Sequence, residues 1–327
     1  MNWQSKSVLV TGAGGFIGSH LAEALVRAGA KTRAMVHYNS LGRKGWLDQS
    51  DLKEDMEVVA GDIRELDSVR TALTGVDTVF HLAALIAIPY SYVSPSSYVS
   101  TNILGTLNIL QESLRMGVSR VVHTSTSEVY GTAKQIPIPE DHRLQAQSPY
   151  SATKIGADKL TESFHRSFGL PVSIVRPFNT YGPRQSARAI IPTIVMQAIA
   201  NEPIRIGNVA PIRDFNYVAD TVRGFLLNAA SEDAVGRVIN LGTGTEISIG
   251  DLAKTICSLI GAECRIVQEN DRVRPSGSEV ERLCADNSLA EELTGWRPEV
   301  SLNEGLQKTL SWIRSNLDYY QPEVYAV

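Results

Sequence analysis

Short apolar, β-branched runs alternate with helix-period stretches along the first 177 residues. SVLVT, at 7–11, has the unbroken apolar character of a buried strand. FIGSHLAEALVRAG follows, with Ile17, Leu21, Ala24 and Leu25 on one helical face and Gly29 as its stop. Further strands are expected at 31–39, 56–63, 76–84, 119–126 and 171–177. Amphipathic helices are expected at 102–117 and from Tyr150 to about Phe168. Such alternation predicts right-handed crossovers and an α/β, doubly wound parallel sheet.

After about 177 the texture changes. RPFNTYGPRQSARAIIP is rich in turns and arginine. A helix at 190–201, the short strand PIRIG and a helix beginning in RDFNYVADTVRGFLLNAA come next. GRVINLGTG, at 236–244, reads as a strand returning to the first sheet. Helices and the loop ENDRVRPSGSEVERL fill 245–317. The expected organisation is 1–177, with the returning segment at about 214–244, as one unit. A smaller C-terminal α/β unit, 178–213 with 245–319, would cover the sheet's carboxyl edge and leave a cleft for substrate.

Composition narrows the class. The 327 residues are 43% hydrophobic and 20% charged, with a net charge of −4. That suits a soluble globular protein and gives no basic surface for nucleic acid. Cys257, Cys264 and Cys284 are few, odd in number and without metal-ligand spacing. They read as reduced thiols in a cytoplasmic protein, with no metal. The first strand begins too early for a signal peptide, and no apolar run approaches the roughly 20 residues of a membrane helix.

Gly12, Gly14, Gly15 and Gly18 fall between the first strand and the first helix, spaced G-x-x-G-x-x-G at 12, 15 and 18. In that context they form a cradle in which backbone N–H groups, with Phe16 and Ile17 opening the helix, can approach a pyrophosphate. The second strand should end in an acid for an NAD ribose, yet it ends in His37, Tyr38 and Asn39. Arg43 and Lys44 beyond read as a solvated loop, which leaves NAD against NADP open. Asp62 and Ile63 suit an adenine edge, or Asp62 caps the next helix. Leu82, Ala83 and Ala84 would leave room for a cofactor, and His81 reads as a packed core histidine.

The stretch 124–154 carries the chemistry. Thr126 and Glu128 stand at the end of the fifth strand, and alternation would put both on one side. Tyr150 and Lys154 are one helical turn apart. An ammonium beside a phenol lowers a pKa that is ordinarily about 10 and makes a general base. That pair suits removing a proton from an alcohol as the alcohol loses hydride. A lone Tyr-x-x-x-Lys is also compatible with a surface tyrosine.

Together, TGAGGFIGSH, GDI, HLAA, TSTSEVYG, YSATK and RPFNTYGPR resemble the extended short-chain dehydrogenase/reductase family over nearly the whole chain. The resemblance implies a Rossmann-like domain, a nicotinamide cofactor, a nucleotide-sugar substrate and a homodimer. It assigns catalysis to Thr126, Tyr150 and Lys154, of which Tyr150 and Lys154 also touch the cofactor. It assigns substrate contacts to Asn179, Arg184, Arg213 and Arg274, since guanidinium groups match phosphate oxygens.

Within that family, 4-epimerases need only the hydroxyl, phenol and ammonium. The 4,6-dehydratases also need a carboxylate to collect the C5 proton, and Glu128 suits that role. Thr-Ser-Glu resembles the GDP-mannose 4,6-dehydratases, whereas the dTDP-glucose type carries Thr-Asp-Glu. Ser127 therefore leaves the C6 proton donor open between Ser127 with a water and Glu128 itself. HYNSLGRKGWLD, AALIAIPYSY and RPFNTYGPRQSARAIIPT are most similar to dehydratases of bacterial legionaminic acid synthesis, which implies GDP-N-acetylglucosamine as substrate and NAD as cofactor. The helices at 102–116 and 150–168 would pair with a second copy in a four-helix bundle. A 4-epimerase and a non-catalytic dinucleotide sensor are the competing readings.

Overall fold

The computed structural model describes residues 3–320, so the first two residues of the expected first unit lie outside it. Seven parallel strands form the main sheet: β1 (Ser7–Thr11), β2 (Lys31–His37), β3 (Glu57–Gly61), β4 (Thr78–His81), β5 (Arg120–Thr124), β6 (Val172–Pro177) and the strand Val238–Leu241. Their order is β3-β2-β1-β4-β5-β6, with Val238–Leu241 at the edge beside β6. The chain winds outward in both directions from β1 and β4. Their carboxyl ends form the crevice where open α/β sheets bind ligands.

Alternate residues of β1 enter two different cores. Val8 and Val10 pack with Leu21, Leu25 and Phe225, whereas Leu9 packs with Val69, Ile109 and Leu110. Helices therefore cover both faces, and the strands must be apolar on both sides. Truncating a side chain as fully buried as Leu9 to alanine would cost about 2–5 kcal/mol. All seven strands expected for the sheet are present, most of them shorter at their carboxyl ends.

Three local features differ from expectation. β5 stops at Thr124, because Thr126 starts a short 3₁₀ turn, Ser127–Tyr130. Helical structure around 102–117 starts at Pro95, passes through a π-helical stretch, Val99–Leu104, and becomes α-helical over Gly105–Arg115. A short strand, Phe215–Tyr217, precedes the helix Val218–Ala230.

Beyond β6 the strands are small and pair locally. Asn179–Tyr181 runs parallel to Phe215–Tyr217, Ile204–Ile206 parallel to Ile266–Gln268, and Ile212–Arg213 antiparallel to Ile247–Ser248. The loop following Ile266–Gln268 reaches back toward the sheet. Gln147 Nε2 donates to the Glu279 carbonyl at 2.9 Å, and the Tyr92 and Ser278 hydroxyls meet at 2.5 Å.

Candidate active site

The helix Pro149–Phe168 sets the site. Ser148 and Ser151 form a reciprocal capping box, Pro149 occupies the first turn, and Gly169 closes the far end in the left-handed region. Tyr150, Lys154 and Asp158 then lie one turn apart, facing the end of β5. Tyr150 interacts with the Thr126 hydroxyl. Lys154 Nζ donates to the Thr124 carbonyl at 2.5 Å, and Ser125 Oγ donates to Asp158 Oδ2 at 2.8 Å. Helix and strand are thus joined by three polar rungs.

Glu128 is placed by the capped 3₁₀ turn, not by strand alternation. Its N–H donates to Thr126 Oγ1 at 3.3 Å, and Gly131 ends the turn at φ +63°. Ser127, between them, is buried. Tyr98 meets the Tyr150 ring edge-on at 6.3 Å, and Leu85 and Ile88 complete its apolar surround.

The electrostatics correct one expectation. Burial raises the Tyr150 phenol well above its ordinary range; the Thr126 hydroxyl lowers it in part, and the Glu128 charge raises it further. The Lys154 ammonium sits on the Thr124 carbonyl, and burial draws it down to about 8 against the upward pull of Asp158. Burial works to raise Asp158, but His123, Arg176 and Ser125 hold it below the usual carboxylate range. The phenol is therefore neutral in this arrangement, with Thr126 as the group that eases its ionisation.

The arginines expected at the substrate divide. Arg213 Nη2 lies 3.1 Å from Glu279 Oε1, and Arg274 Nη1 lies 3.6 Å from the same oxygen. Arg274 Nη1 also stands 4.0 Å from Glu128 Oε1. Asn179 is tied to this group through its N–H, which donates to the Asp214 carbonyl at 3.0 Å. Asn179 Oδ1 and Arg274 Nη1 are buried without hydrogen-bond partners. Buried polar atoms of that kind are rare. Arg184 lies apart. It pairs with Glu23 Oε1 at 2.8 Å and donates to Ser19 Oγ at 3.2 Å, on the first helix.

Two residues of this constellation escaped the sequence reading. Asp158 was legible, being one turn past Lys154 in YSATKIGAD. Glu279 was not, because it is one of several acids in an irregular loop and meets its arginines only through the fold.

The glycine turn fits a dinucleotide cradle. Gly12 has φ +70°, and a Cβ there would stand 2.9 Å from the Ala83 backbone. A Cβ on Gly18 would overlap the Gly12 carbonyl. Thr11 Oγ1 accepts from the N–H groups of Leu82 and Ala83, each at 3.1 Å, and meets His81 Nδ1 at 2.8 Å. His81 is a core histidine, bridging β1 and Thr106. The helix Phe16–Arg27 begins at Gly15 with no side-chain cap, so the first-turn N–H groups that include Phe16, Ile17 and Gly18 are available to an anion. Ala84 is half-buried at this junction, Ile63 is buried, and Gly14 accepts from the Trp46 N–H at 3.0 Å. Asp62 is gripped by Arg64, with Oδ2 2.5 Å from Nη2, and lies 3.4 Å from His37 Nε2. Arg43 and Lys44 are exposed.

Known proteins resemble this chain along almost its whole length. The family described as GDP-mannose 4,6 dehydratase matches residues 9–309. A dTDP-glucose 4,6-dehydratase of Streptomyces antibioticus is 33% identical, over 97% of this chain and 95% of its own. A UDP-glucuronate 4-epimerase of Thermodesulfobacterium geofontis is 33% identical, over 95% and 97%. Among solved structures, DesIV, a dTDP-glucose 4,6-dehydratase of Streptomyces venezuelae with NAD bound, superposes with a TM-score of 0.88 at 32% identity, over 97% of this chain and 99% of that one.

Proposed function

The chain belongs to the GDP-mannose 4,6-dehydratase family, within the extended short-chain dehydrogenases/reductases that act on nucleotide sugars, and on that premise we propose that it is a nucleotide-sugar 4,6-dehydratase using NAD. The carrying observation is Glu128, a largely buried carboxylate in one capped turn with Thr126 and beside Tyr150. The first unit, 1–177 with 214–244, would hold NAD through the glycine turn, Asp62, Ile63 and Leu82–Ala84. The second, 178–213 with 245–319, would hold the nucleotide diphosphate through Asn179, Arg213 and Arg274. Bound NAD would supply the redox chemistry, oxidation at C4 and reduction at C6, with no net consumption.

The chain's own residues handle the protons. Thr126 hydrogen-bonds Tyr150 and eases its ionisation, and Tyr150 takes the C4 hydroxyl proton. The charged Lys154 favours the phenolate that must form first, its proton passing to solvent, before Tyr150 can take the C4 proton and return to the neutral phenol. The 4-keto group acidifies C5, and Glu128 takes that proton. The C6–O bond breaks, and Glu128 passes the same proton to the departing hydroxide, giving water and a C5=C6 bond; reduction at C6 would then leave an enolate, which takes a proton from solvent at C5. Ser127 is too weak an acid to be that donor alone. GDP-N-acetylglucosamine is the substrate the sequence resemblance supports, and dTDP-glucose is its comparison.

The test is product identity. Incubation with each nucleotide sugar should yield a 4-keto-6-deoxy product, seen by mass as loss of water and by NMR as a new C6 methyl. A 4-epimerase is the second reading, since Thr126, Tyr150 and Lys154 suffice for it. It would return a C4-inverted sugar with C6 intact. We further propose a homodimer through the helices at 95–115 and 149–168, whose exposed apolar residues include Val99 and Leu104. A monomeric mass by light scattering would reject it.

A further inference from the structure

Lys154 is an ammonium carried into the interior, 4% exposed, with its one hydrogen bond on a neutral carbonyl. Burying a charge this way is costly unless an opposite charge is near. Among the described residues, Asp158 is the carboxylate that favours the charged lysine, one turn further along the same helix. Asp158 is itself buried. Its Oδ2 accepts from Ser125 at 2.8 Å and from Arg176 at 2.9 and 3.2 Å. Its Oδ1 has no hydrogen-bond partner and stands 3.5 Å from His123 Nε2. That imidazole, which also holds the Asp158 carboxyl down, is the group nearest this oxygen.

The surrounding groups sharpen the role. On β4 and β5, His81 and His123 are buried with their rings 5.6 Å apart, and burial holds both neutral at pH 7. On β6, Arg176 pairs with Asp158 and also donates to the Tyr130 hydroxyl at 2.9 Å. Tyr150 lies on Lys154's own helix, and burial keeps it neutral. Glu128 raises the phenol from the far side. Within this group Asp158 is the anion on the lysine's own helix.

Resting on the reading of Tyr150 and Lys154 as the acid–base pair, we infer that Asp158 is a positioning residue of the reaction: anchored by Ser125, it keeps Lys154 charged and seated on the Thr124 carbonyl. The bland alternative is that Asp158 serves only to pair Arg176. Removing both members of that pair should therefore relieve the stranded guanidinium and still deprive Lys154 of its counter-charge.

The test compares the wild type, Asp158→Asn and Asp158→Asn/Arg176→Gln. Lys154 is titrated directly by NMR of protein labelled at lysine Cε, with Lys154→Arg to assign the signal. In parallel, kcat/KM is followed against pH with whichever of GDP-N-acetylglucosamine and dTDP-glucose the wild type converts. The lysine midpoint, about 8 in the wild type, should fall by about one pH unit in both variants, and the alkaline limb should fall with it. The ratio of kcat/KM above pH 8 to that below pH 7 would then drop about tenfold. A midpoint that stays put overturns the inference while leaving the Tyr150–Lys154 pair standing. A midpoint that moves without the limb overturns the pair's role and the inference together. Failure of both variants to fold also overturns it, by making Asp158 a structural ion-pair partner.

Discussion

Glu128 Oε1 stands 4.0 Å from Arg274 Nη1, bringing a carboxylate of the β5 end against a guanidinium from a loop nearly 150 residues away. The Glu128 side chain is only 13% exposed, so it is shielded from bulk solvent. Glu128→Gln keeps the shape and removes the base. Water elimination should fall about 10²–10⁴-fold, the usual worth of a positioned general base. KM should change little. Retention of most activity would remove Glu128 from the chemistry.

The arginines are expected to separate by role. Arg213→Gln or Arg274→Gln should raise KM about 10–100-fold, the equivalent of one charge-assisted hydrogen bond. Arg184→Gln should leave KM near the wild type but lower stability by about 1–3 kcal/mol, because buried Glu23 would lose its closest cation and keep only the longer ion pair with Arg27 at 3.5 Å. Steady-state kinetics and urea unfolding on the three variants check both halves.

Gly18→Ala should cost dinucleotide affinity more than stability is lost elsewhere, since its Cβ would overlap the Gly12 carbonyl and push the turn away from the ligand. Binding of NAD by calorimetry should weaken at least tenfold. Unchanged affinity would show that the glycine turn is not the cradle.

Stability should fall with acid in a defined window. His20 and His123 are drawn down to about 4 by burial, and burial holds His81 well below its ordinary value. The unfolded chain takes up these protons near pH 6.5, whereas the folded chain resists them. The stabilisation is thus fully present above about pH 6.5 and is lost as pH falls toward about 4. Each histidine contributes a slope of about 1.4 kcal/mol per pH unit within that window. Urea unfolding between pH 7 and pH 5 should show it, and a flat profile would contradict the buried, neutral imidazoles.

The fold was legible because its signals are local. SVLVT, the glycine run after it and the 3.6-residue period of FIGSHLAEALVRAG each specify their element without distant help, and the strand at 236–244 rejoins the sheet as read. Strand ends and turns were less legible. Thr126 could have continued β5 by alternation, but its hydroxyl caps the next turn and ends the strand. That Tyr150 and Lys154 lie one helical turn apart was visible from spacing, yet the direction of the phenol's shift was not, because burial is a property of the fold. Arg184 sits three residues from Tyr181 in a motif that suggested substrate, and only the fold reveals Glu23 as its partner.

The central claim is that Glu128 removes the C5 proton of a nucleotide sugar. Conversion in heavy water tests it most directly, with GDP-N-acetylglucosamine as the first substrate. The account predicts a 4-keto-6-deoxy product carrying deuterium at C5, formed by the wild type and not by Glu128→Gln. A C4-inverted sugar with hydrogen retained at C5 and an intact C6 hydroxyl would contradict it.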